Sequence, residues 1–547
     1  MRTLYVSKPF CDYVEMLNYE VERYRDLLNT VNREDNPMTD DEWNSSWEYF
    51  SNLLEEAKFK FDYIRDLIQS IYLTKEEQEN GYKWLLVYHE REITIWNPAI
   101  ETFEWHNNPK FEESYTDSLA RFYNQEDVTG NEDKVHFSSM AREITFQVTE
   151  GCNMACTYCY QHNKKPNAMT FEIAKQFIDD FLDNNEKINT YYNSSKMLGV
   201  VFEFIGGEPW LEFDLINRIS NYLITEFFRR KHRLAIRFCF SICSNGLLQS
   251  LPKVQNYLRK HKQHLSYNVS IDGSKKLHDT CRLDLLGKGT YDRAIKAALQ
   301  WKDDIGGVPS SKMTVSPFNV PYVFESLVDM MSKGYYHINF NCVMEEGWQR
   351  ENATELYWQL HRLVDYLKDN DLLDKYEFSM FDKQKGAPAA NLPGCELNPC
   401  GGTGNMLAID WKGDIYPCLR YMENSISPEV REPYKIGTVF DGINILPEHQ
   451  KRISYLRTIT RESQSDKKCS TCPISSRCPS CNGYNYEYNG DPGKRTTFVC
   501  DITKAESLAN YYYWKVLGDP IEMHCPKEWA VEIIGEEEYN NLINMEV

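Results

Sequence analysis

The chain has 547 residues, which is too long for one ordinary domain and predicts two to four domains with substantial cores. It carries 61 Lys and Arg against 81 Asp and Glu, and the resulting net charge of -20 argues against nucleic acid as a partner because it repels a phosphate backbone. The N-terminus has no apolar core of signal-peptide length, and no run of about eighteen uncharged apolar residues occurs, so we expect no membrane span and a soluble, cytoplasmic protein.

Two helical patterns occupy the first 80 residues. Apolar residues recur at three- and four-residue steps from Val14 to Val31 and again from Trp43 to Ile71, which predicts two amphipathic helices. Thr39 and Glu42 form a capping-box pattern at the start of the second helix. We therefore expect a helical accessory region over 1–80.

A second small region follows the helices. Short apolar segments between Tyr82 and Trp105 predict two or three strands, and a polar helical segment comes next, near 112–123. The polar, glycine-containing residues 127–134 predict a linker. These patterns predict a separate strand-and-helix domain over 81–135.

After the linker, strand patterns alternate with helical patterns. The candidate strands are Ile144–Thr149, Val200–Ile205, Ala235–Cys243, Leu265–Ile271, Met313–Pro317 and Ile338–Val343. Repeated strand, helix and strand units predict the α/β class with a parallel sheet. Six such units suit a partial (β/α)6 TIM-like barrel over 136–370.

Residues suited to chemistry follow the C-terminal ends of these strands. The segment GCNMACTYCYQ, residues 151–161, comes after the first strand and contains Cys152, Cys156 and Cys159. The next three strands are followed by GGEP (206–209), SNG (244–246) and SIDG (270–273). Because the C-terminal ends of parallel strands meet at one mouth of a barrel, we expect these segments to lie together.

The three cysteines leave one ligand position open. Three thiolates can hold three irons of a [4Fe-4S] cluster, and the fourth iron is then open to a non-protein ligand. A zinc site is an alternative for closely spaced cysteines. His162 could supply a fourth ligand, although a histidine three residues beyond the last cysteine is more often a loop side chain.

The spacing Cys-x3-Cys-x2-Cys, with Tyr158 before the last cysteine and GGEP after the second strand, resembles the radical S-adenosylmethionine superfamily. The resemblance covers about residues 144–367. It implies that the amino and carboxylate groups of S-adenosylmethionine chelate the open iron. It also implies that the backbone of Gly206, Gly207 and Glu208 meets the methionine amino group.

The same resemblance implies further contacts with S-adenosylmethionine. Ser244, Ser270 and Asp272 are expected near its ribose or methionyl part. Arg282 is the implied partner of its carboxylate, because a guanidinium can bind a carboxylate through two parallel hydrogen bonds. Without the neighbouring motif, Arg282 would be interpreted as a solvated charge at a helix end.

A second set of cysteines lies in the C-terminal third, where eight occur in just over a hundred residues. Eight cysteines suit two complete four-iron clusters. Their pattern resembles the SPASM extension found on radical enzymes that modify peptides and proteins, expected here over 371–505, with a C-terminal extension over 506–547. The resemblance implies a first auxiliary cluster on Cys395, Cys400, Cys418 and Cys481, and a second on Cys469, Cys472, Cys478 and Cys500.

The pattern departs from the family at one point. Two residues separate Cys478 from Cys481, where the family usually has three. A four-thiolate zinc site on Cys469, Cys472, Cys478 and Cys481 is therefore an alternative. Outside these sets, Cys342 ends the sixth predicted strand, where core packing and an orientation into the barrel mouth are both open.

The resemblance predicts a peptide-modifying enzyme. The expected cofactors are three [4Fe-4S] clusters and S-adenosylmethionine, and the expected partners are a precursor peptide with its leader and an electron donor such as flavodoxin or ferredoxin. Hydrogen abstraction followed by bond closure leaves one surplus electron, for which the auxiliary clusters offer a path. The leading hypothesis is an intramolecular cross-link in a ribosomally made peptide, with a thioether favoured.

Other functions remain open. The cross-link is carbon–carbon in one alternative, and a second alternative is a sulfatase-type maturase that forms formylglycine. Such maturases carry an aspartate after the cysteine matched by Cys418, where this chain has Leu419. A third alternative is a non-catalytic metal scaffold. Residues 82–123 are suitably placed for a winged-helix-like domain that binds the leader as an added strand.

Overall fold

The computed structural model describes residues 2–5, 8–35, 37–72, 84–88, 91–94, 103–104, 141–189, 194, 197–307, 311–383, 385–386, 388, 400–426 and 431–545. The chain divides into two compact units. The first comprises Met1–Gly130, Ser195–Leu198 and Ser220–Phe238, and the second comprises Asn131–Ser194, Gly199–Ile219 and Cys239–Val547. The predicted linker lies outside the described residues, as does most of the predicted leader-binding region.

Two long helices, α1 (Lys8–Thr30) and α2 (Asp40–Tyr72), dominate the first unit and confirm the two helical patterns. They pack through a small core that contains Val21, Leu54 and Ala57. The capping box is also confirmed, because the Thr39 backbone N–H donates to Glu42 Oε2 over 2.9 Å and the Glu42 N–H donates to Thr39 Oγ1 over 3.2 Å.

The first unit also contains a four-stranded sheet. Its strands are β1 (Arg2–Tyr5), β2 (Trp84–Tyr88), β3 (Arg91–Thr94) and β4 (Phe103–Glu104), in the order β3-β2-β1-β4. β1 pairs in parallel with β2 and β4, while β2 and β3 are antiparallel. Strands were predicted between Tyr82 and Trp105, whereas β1 was not.

An eight-stranded sheet forms the centre of the second unit, in the order β16-β15-β14-β13-β5-β6-β7-β8. Its parallel half consists of β5 (Ala141–Gln147), β6 (Gly199–Ile205), β7 (Phe238–Ser244) and β8 (Leu265–Val269). The other half consists of β13 (Met406–Ile409), β14 (Asp414–Tyr416), β15 (Gly437–Thr438) and β16 (Gly442–Ile443). β13 runs parallel to β5, and the remaining pairs of that half are antiparallel.

Four shorter strands form two separate parallel pairs. β9 (Met313–Val315) pairs with β11 (Phe340–Cys342), and β10 (His337–Ile338) pairs with β12 (Glu377–Phe378). All six predicted strands therefore exist, although the third begins later because residues 233–236 form a 3-10 helix and the sixth is divided into two. The α/β class is confirmed, whereas closure into a partial barrel stays a prediction.

Helices alternate with these strands along the chain. The helices that precede residue 310 are α3 (Phe171–Leu182), α4 (Glu186–Asn189), α5 (Phe213–Arg229), α6 (Pro252–His261), α7 (Lys275–Cys281) and α8 (Tyr291–Gln300). The later ones are α9 (Val323–Ser332), α10 (Arg350–Asp369), α11 (Pro447–Thr458), α12 (Lys467–Ser470), α13 (Asn482–Asn489), α14 (Cys500–Val516) and α15 (Lys527–Asn544). Among the described residues, none of these helices is long and apolar enough to cross a membrane.

The two faces of β5 and β6 differ in chemistry because side chains alternate along a strand. Phe146 and Phe202 are fully buried and contact Phe177 and Phe181 of α3. The other face of β5 carries Glu143, Thr145 and Gln147. An aromatic core therefore fixes the sheet from one side and leaves polar side chains on the face opposite α3.

Candidate active site

The three-cysteine loop follows β5 and is held by backbone hydrogen bonds. The Ala155 N–H donates to the Leu283 carbonyl over 2.8 Å, and the Thr157 N–H donates to the Cys281 carbonyl over 3.0 Å. Met154 and Asp284 form an antiparallel bridge beside them. The loop is thus paired with the segment 281–284, which also carries Arg282.

The three thiols lie in one neighbourhood. Cys156 interacts electrostatically with Cys152 and Cys159, and the Lys164 ammonium interacts with all three. Burial raises the pKa of Cys152 to about 11 and also raises that of Cys156. Three soft thiol donors beside one cation fit an anionic iron–sulfur cluster, so the residues suit the cofactor that the spacing predicted.

The GGEP segment packs directly against this loop. A Cβ atom on Gly207 would lie 2.4 Å from the Gly151 carbonyl oxygen and 2.6 Å from Cys152 Cβ, and one on Gly206 would lie 2.6 Å from the Thr149 carbonyl oxygen. In the other direction, the Glu208 N–H donates to the Gly151 carbonyl over 2.9 Å. Glycine is required at both positions because the two backbones approach within van der Waals contact.

The Glu208 carboxylate connects the ends of β6 and β7. It accepts hydrogen bonds from Ser244 Oγ and from the Asn245 N–H, both over 2.8 Å, and from the Trp210 N–H over 3.2 Å. The Asn245 side chain in turn donates to Asn153 Oδ1 of the cysteine loop over 2.7 Å. Burial raises the pKa of Glu208 to about 7.

A second buried carboxylate positions Arg282. Asp272 is fully buried and accepts from Arg282 Nε over 2.8 Å, from the Thr314 N–H over 3.0 Å and from the Tyr158 hydroxyl. Arg282 also lies over the Tyr158 ring, with 5.4 Å between the guanidinium carbon and the ring centroid. Its side chain is 12% exposed, so it is not a solvated charge at a helix end.

The remaining residues predicted to contact S-adenosylmethionine belong to the same sheet end. Ser270 follows β8, and its hydroxyl lies 3.4 Å from Cys243 Sγ of β7. His162 instead lies 3.6 Å from Glu487 Oε1, which belongs to α13. The structure thus brings the predicted S-adenosylmethionine contacts together around the cysteine loop, and their role as ligands stays a prediction.

The first auxiliary set is brought together where it is described. Cys418 interacts electrostatically with Cys400 and Cys481. A Cβ atom on Gly402 would lie 3.3 Å from Cys418 Sγ and 3.6 Å from Cys400 Sγ. Both sulfurs therefore lie close to Gly402 and on the same side of it. Cys395 lies outside the described residues. Despite the short spacing before it, Cys481 is grouped with Cys400 and Cys418.

The second auxiliary set lines one cavity. Its walls contain the four predicted cysteines, the apolar side chains Ile474 and Trp529, and three basic residues. The basic residues are Lys468, Arg495 and Lys504, and the cysteines are Cys469, Cys472, Cys478 and Cys500. Thiols and cations around one cavity fit an anionic cluster. Within the described residues, no three His, Cys, Asp or Glu side chains have the arrangement that holds a single metal ion.

Arg420 joins the cysteine loop to the auxiliary region and was not predicted. Its guanidinium carbon lies 4.8 Å from the Tyr160 ring centroid and 5.3 Å from that of Tyr484. It donates to Glu345 over 3.1 Å and to Glu487 over 2.9 Å. The sequence signal was weak, since an arginine two residues beyond Cys418 has no distinctive spacing.

A cavity of about 610 Å³ is lined by residues of β8, of β11 and of the segment 311–312 that precedes β9. Cys342 lines it and lies 3.8 Å from Glu506 Oε1, and Glu506 is paired with Arg477 over 3.3 Å. Cys342 therefore faces a cavity rather than the core. Glu506 and Arg477 were also missed, because helix α14 reaches this cavity through packing that periodicity does not reveal.

Known proteins resemble both the sequence and the fold. The serine-type anaerobic sulfatase-maturating enzyme of Bacteroides thetaiotaomicron is 24% identical over 377 residues, 62% of this chain and 83% of that protein. Mycofactocin maturase MftC of Mycolicibacterium smegmatis is 24% identical over 347 residues, 61% of this chain and 76% of the relative. In sequence the chain is therefore similar to radical S-adenosylmethionine enzymes that modify peptides, the family that its cysteine spacing resembles.

A solved structure supports the fold of this chain. The anaerobic sulfatase-maturating enzyme anSMEcpe with bound AdoMet and the Cp18Cys peptide superimposes with a TM-score of 0.50 at 17% identity, covering 69% of this chain and 98% of that one. No protein-family model matches the chain. S-adenosylmethionine and [4Fe-4S] chemistry belong to the proteins that this chain resembles, and the number of clusters in this chain stays a prediction.

Proposed function

We propose that this radical S-adenosylmethionine enzyme installs an intramolecular cross-link, favoured as a thioether, in a ribosomally made precursor peptide. The proposal includes a partial (β/α)6 barrel, three [4Fe-4S] clusters and a leader-binding role for residues 82–123. The observation that carries it is the division of the C-terminal cysteines into two groups. Cys481 lies with Cys400 and Cys418, apart from the cavity of Cys469 and its neighbours.

The chain's own residues hold and orient the cofactor in this proposal. Arg282 binds the carboxylate of S-adenosylmethionine, and Asp272 fixes the guanidinium through its Nε edge. Glu208 holds the ends of β6 and β7 together through its carboxylate, and its backbone N–H binds the cysteine loop at Gly151. When bound, the first cluster with S-adenosylmethionine supplies hydrogen-atom abstraction, and the auxiliary clusters supply an acceptor for one electron.

A peptide substrate agrees with the similar proteins. The similar solved structure holds a peptide beside AdoMet, and one similar sequence is named a maturase. The cavity beside Cys342 offers about 610 Å³ and several polar side chains, which suits part of a polypeptide. The leader would add as a strand to the sheet that contains β2 and β3.

Formylglycine formation is the second candidate, because sulfatase-maturating enzymes are among the similar proteins. Leu419 argues against it, since a hydrocarbon side chain cannot accept the proton that an aspartate would take at that position. The cross-link function requires no base there. A carbon–carbon cross-link remains distinguishable from a thioether by its effect on thiols.

The test uses reconstituted enzyme, S-adenosylmethionine, dithionite and the short peptides encoded beside its gene. A cross-link makes the product lighter by two hydrogens per closure, and a thioether removes one thiol that iodoacetamide would otherwise alkylate. Conversion of a Ser or Cys of the peptide to an aldehyde, detected by hydrazide labelling, would instead establish the second candidate. Full alkylation of a cross-linked product would disprove the thioether.

A further inference from the structure

The cysteine loop reaches solvent beside a rigid hairpin. Ala155 and Thr157 are exposed, and their backbone N–H groups donate to the carbonyls of Leu283 and Cys281, in the segment that leads from helix α7 into this hairpin. An antiparallel bridge between Leu283 and Gly289 closes the hairpin, which we call the donor hairpin (residues 283–289). Solvent thus meets the loop of Cys152, Cys156 and Cys159 where this hairpin begins.

The tip of the donor hairpin presents two leucines to solvent. Leu285 is 67% exposed and Leu286 is 81% exposed, the largest value among the described large apolar side chains. The turn beneath them is fixed, because Asp284 Oδ1 accepts from the N–H groups of Leu286 and Lys288 over 2.9 and 3.0 Å. Two adjacent leucines held in water by a fixed turn favour contact with a partner.

The charge around the hairpin differs from that of the whole chain. Between Lys275 and Arg293, apart from the buried Arg282, there are four basic and three acidic residues, whereas the chain as a whole carries a net charge of -20. Lys288 and Lys276 flank the leucines in sequence. A mildly basic surface with an apolar centre fits an acidic protein, and complementary charge speeds such an encounter.

We propose that the donor hairpin is the docking surface for an acidic one-electron donor protein. The proposal rests on the class of this enzyme and is independent of the peptide substrate. One electron leaves the reduced donor, which is oxidised by one electron, and enters the first cluster for each S-adenosylmethionine cleaved. The hydrogen bonds from the N–H groups of 155 and 157 to the segment 281–283 place the bound donor beside that cluster's ligand loop.

The experiment compares two reductants on the same holoenzyme. The test variant is Leu285→Ser with Leu286→Ser, and the matched control is Ile445→Ser with Leu446→Ser, whose side chains are also adjacent and are 51% and 50% exposed. Formation of 5'-deoxyadenosine without peptide is measured with an acidic flavodoxin and with dithionite. Interferometry measures flavodoxin binding directly.

The test variant should bind flavodoxin at least about tenfold more weakly and lose activity with flavodoxin by a similar factor, while activity with dithionite stays within about twofold. Lys288→Glu, which tests charge without touching the leucines, should weaken binding more at low salt than at high salt. The control should behave as the wild type with both reductants.

Three outcomes would overturn the proposal. Unchanged flavodoxin binding in the test variant places the donor elsewhere, and an equal loss with both reductants assigns the hairpin to support of the cysteine loop. An equal loss in the control variant assigns the effect to general surface polarity. Because no peptide is present, failure to find a cross-linked product would leave this result untouched.

Discussion

Substitution of Gly207 by alanine tests whether close packing of the GGEP segment against the cysteine loop is needed to bind S-adenosylmethionine. The added Cβ would lie 2.4 Å from the Gly151 oxygen, so the loop must recede by about 1 Å to reach the 3.4 Å of an ordinary contact. Overpacking of this kind costs about 1–3 kcal/mol. Since the displaced loop carries Cys152, we expect S-adenosylmethionine affinity to fall about 5- to 150-fold.

The assay is equilibrium binding of S-adenosylmethionine to reconstituted enzyme, with iron measured per chain. Gly151→Ala is the matched control, because its Cβ would meet Thr149 Oγ1 at 3.3 Å, which a small side-chain shift relieves. We expect this control to bind within about twofold of the wild type. Wild-type affinity and iron content in Gly207→Ala would refute the reasoning.

Three further predictions concern metal content and pH. Replacing all three cysteines of the 151–161 loop by alanine should abolish 5'-deoxyadenosine formation and leave about eight irons per chain, as iron analysis would reveal. Cys481→Ala should lose the same iron signal as Cys418→Ala, and additive iron loss in the double variant would contradict their grouping. Burial and the Arg282 charge lower the pKa of His278 to about 3. The neutral imidazole therefore contributes fully to the free energy of unfolding above about pH 6.5, and this contribution declines as pH falls towards 3. The loss at pH 5 is about 2 kcal/mol. Between pH 7.5 and pH 5, the Tm measured by circular dichroism should therefore fall less in His278→Gln than in the wild type, and equal falls would count against this account.

Local sequence patterns predicted much of the fold and of the site. Apolar steps of three and four located α1 and α2, and the parallel strands around the site were found because β-branched and aromatic segments alternate with helices. Their C-terminal ends then indicated where chemistry gathers, and Glu208, Ser244, Asp272 and Arg282 do lie there.

Other features depend on contacts between distant parts of the chain. β13 to β16 have two to four residues each, which is too short for an alternation signal, and they exist because β13 pairs with β5. Arg420 contacts Glu345 and Glu487, and Glu506 contacts Cys342, across more than sixty residues of sequence in each case. Periodicity describes one element at a time, so it cannot report such packing.

The bonding of the cysteine loop limits how this site can be transplanted. Hydrogen bonds join the loop to the GGEP backbone, to Asn245 and to the segment 281–283, each of which follows a different strand of the sheet. A chimeric enzyme that received residues 151–161 alone would contain the three cysteines but would lack the neighbouring segments that hold them in position. Exchange between related enzymes should therefore move all of these segments together.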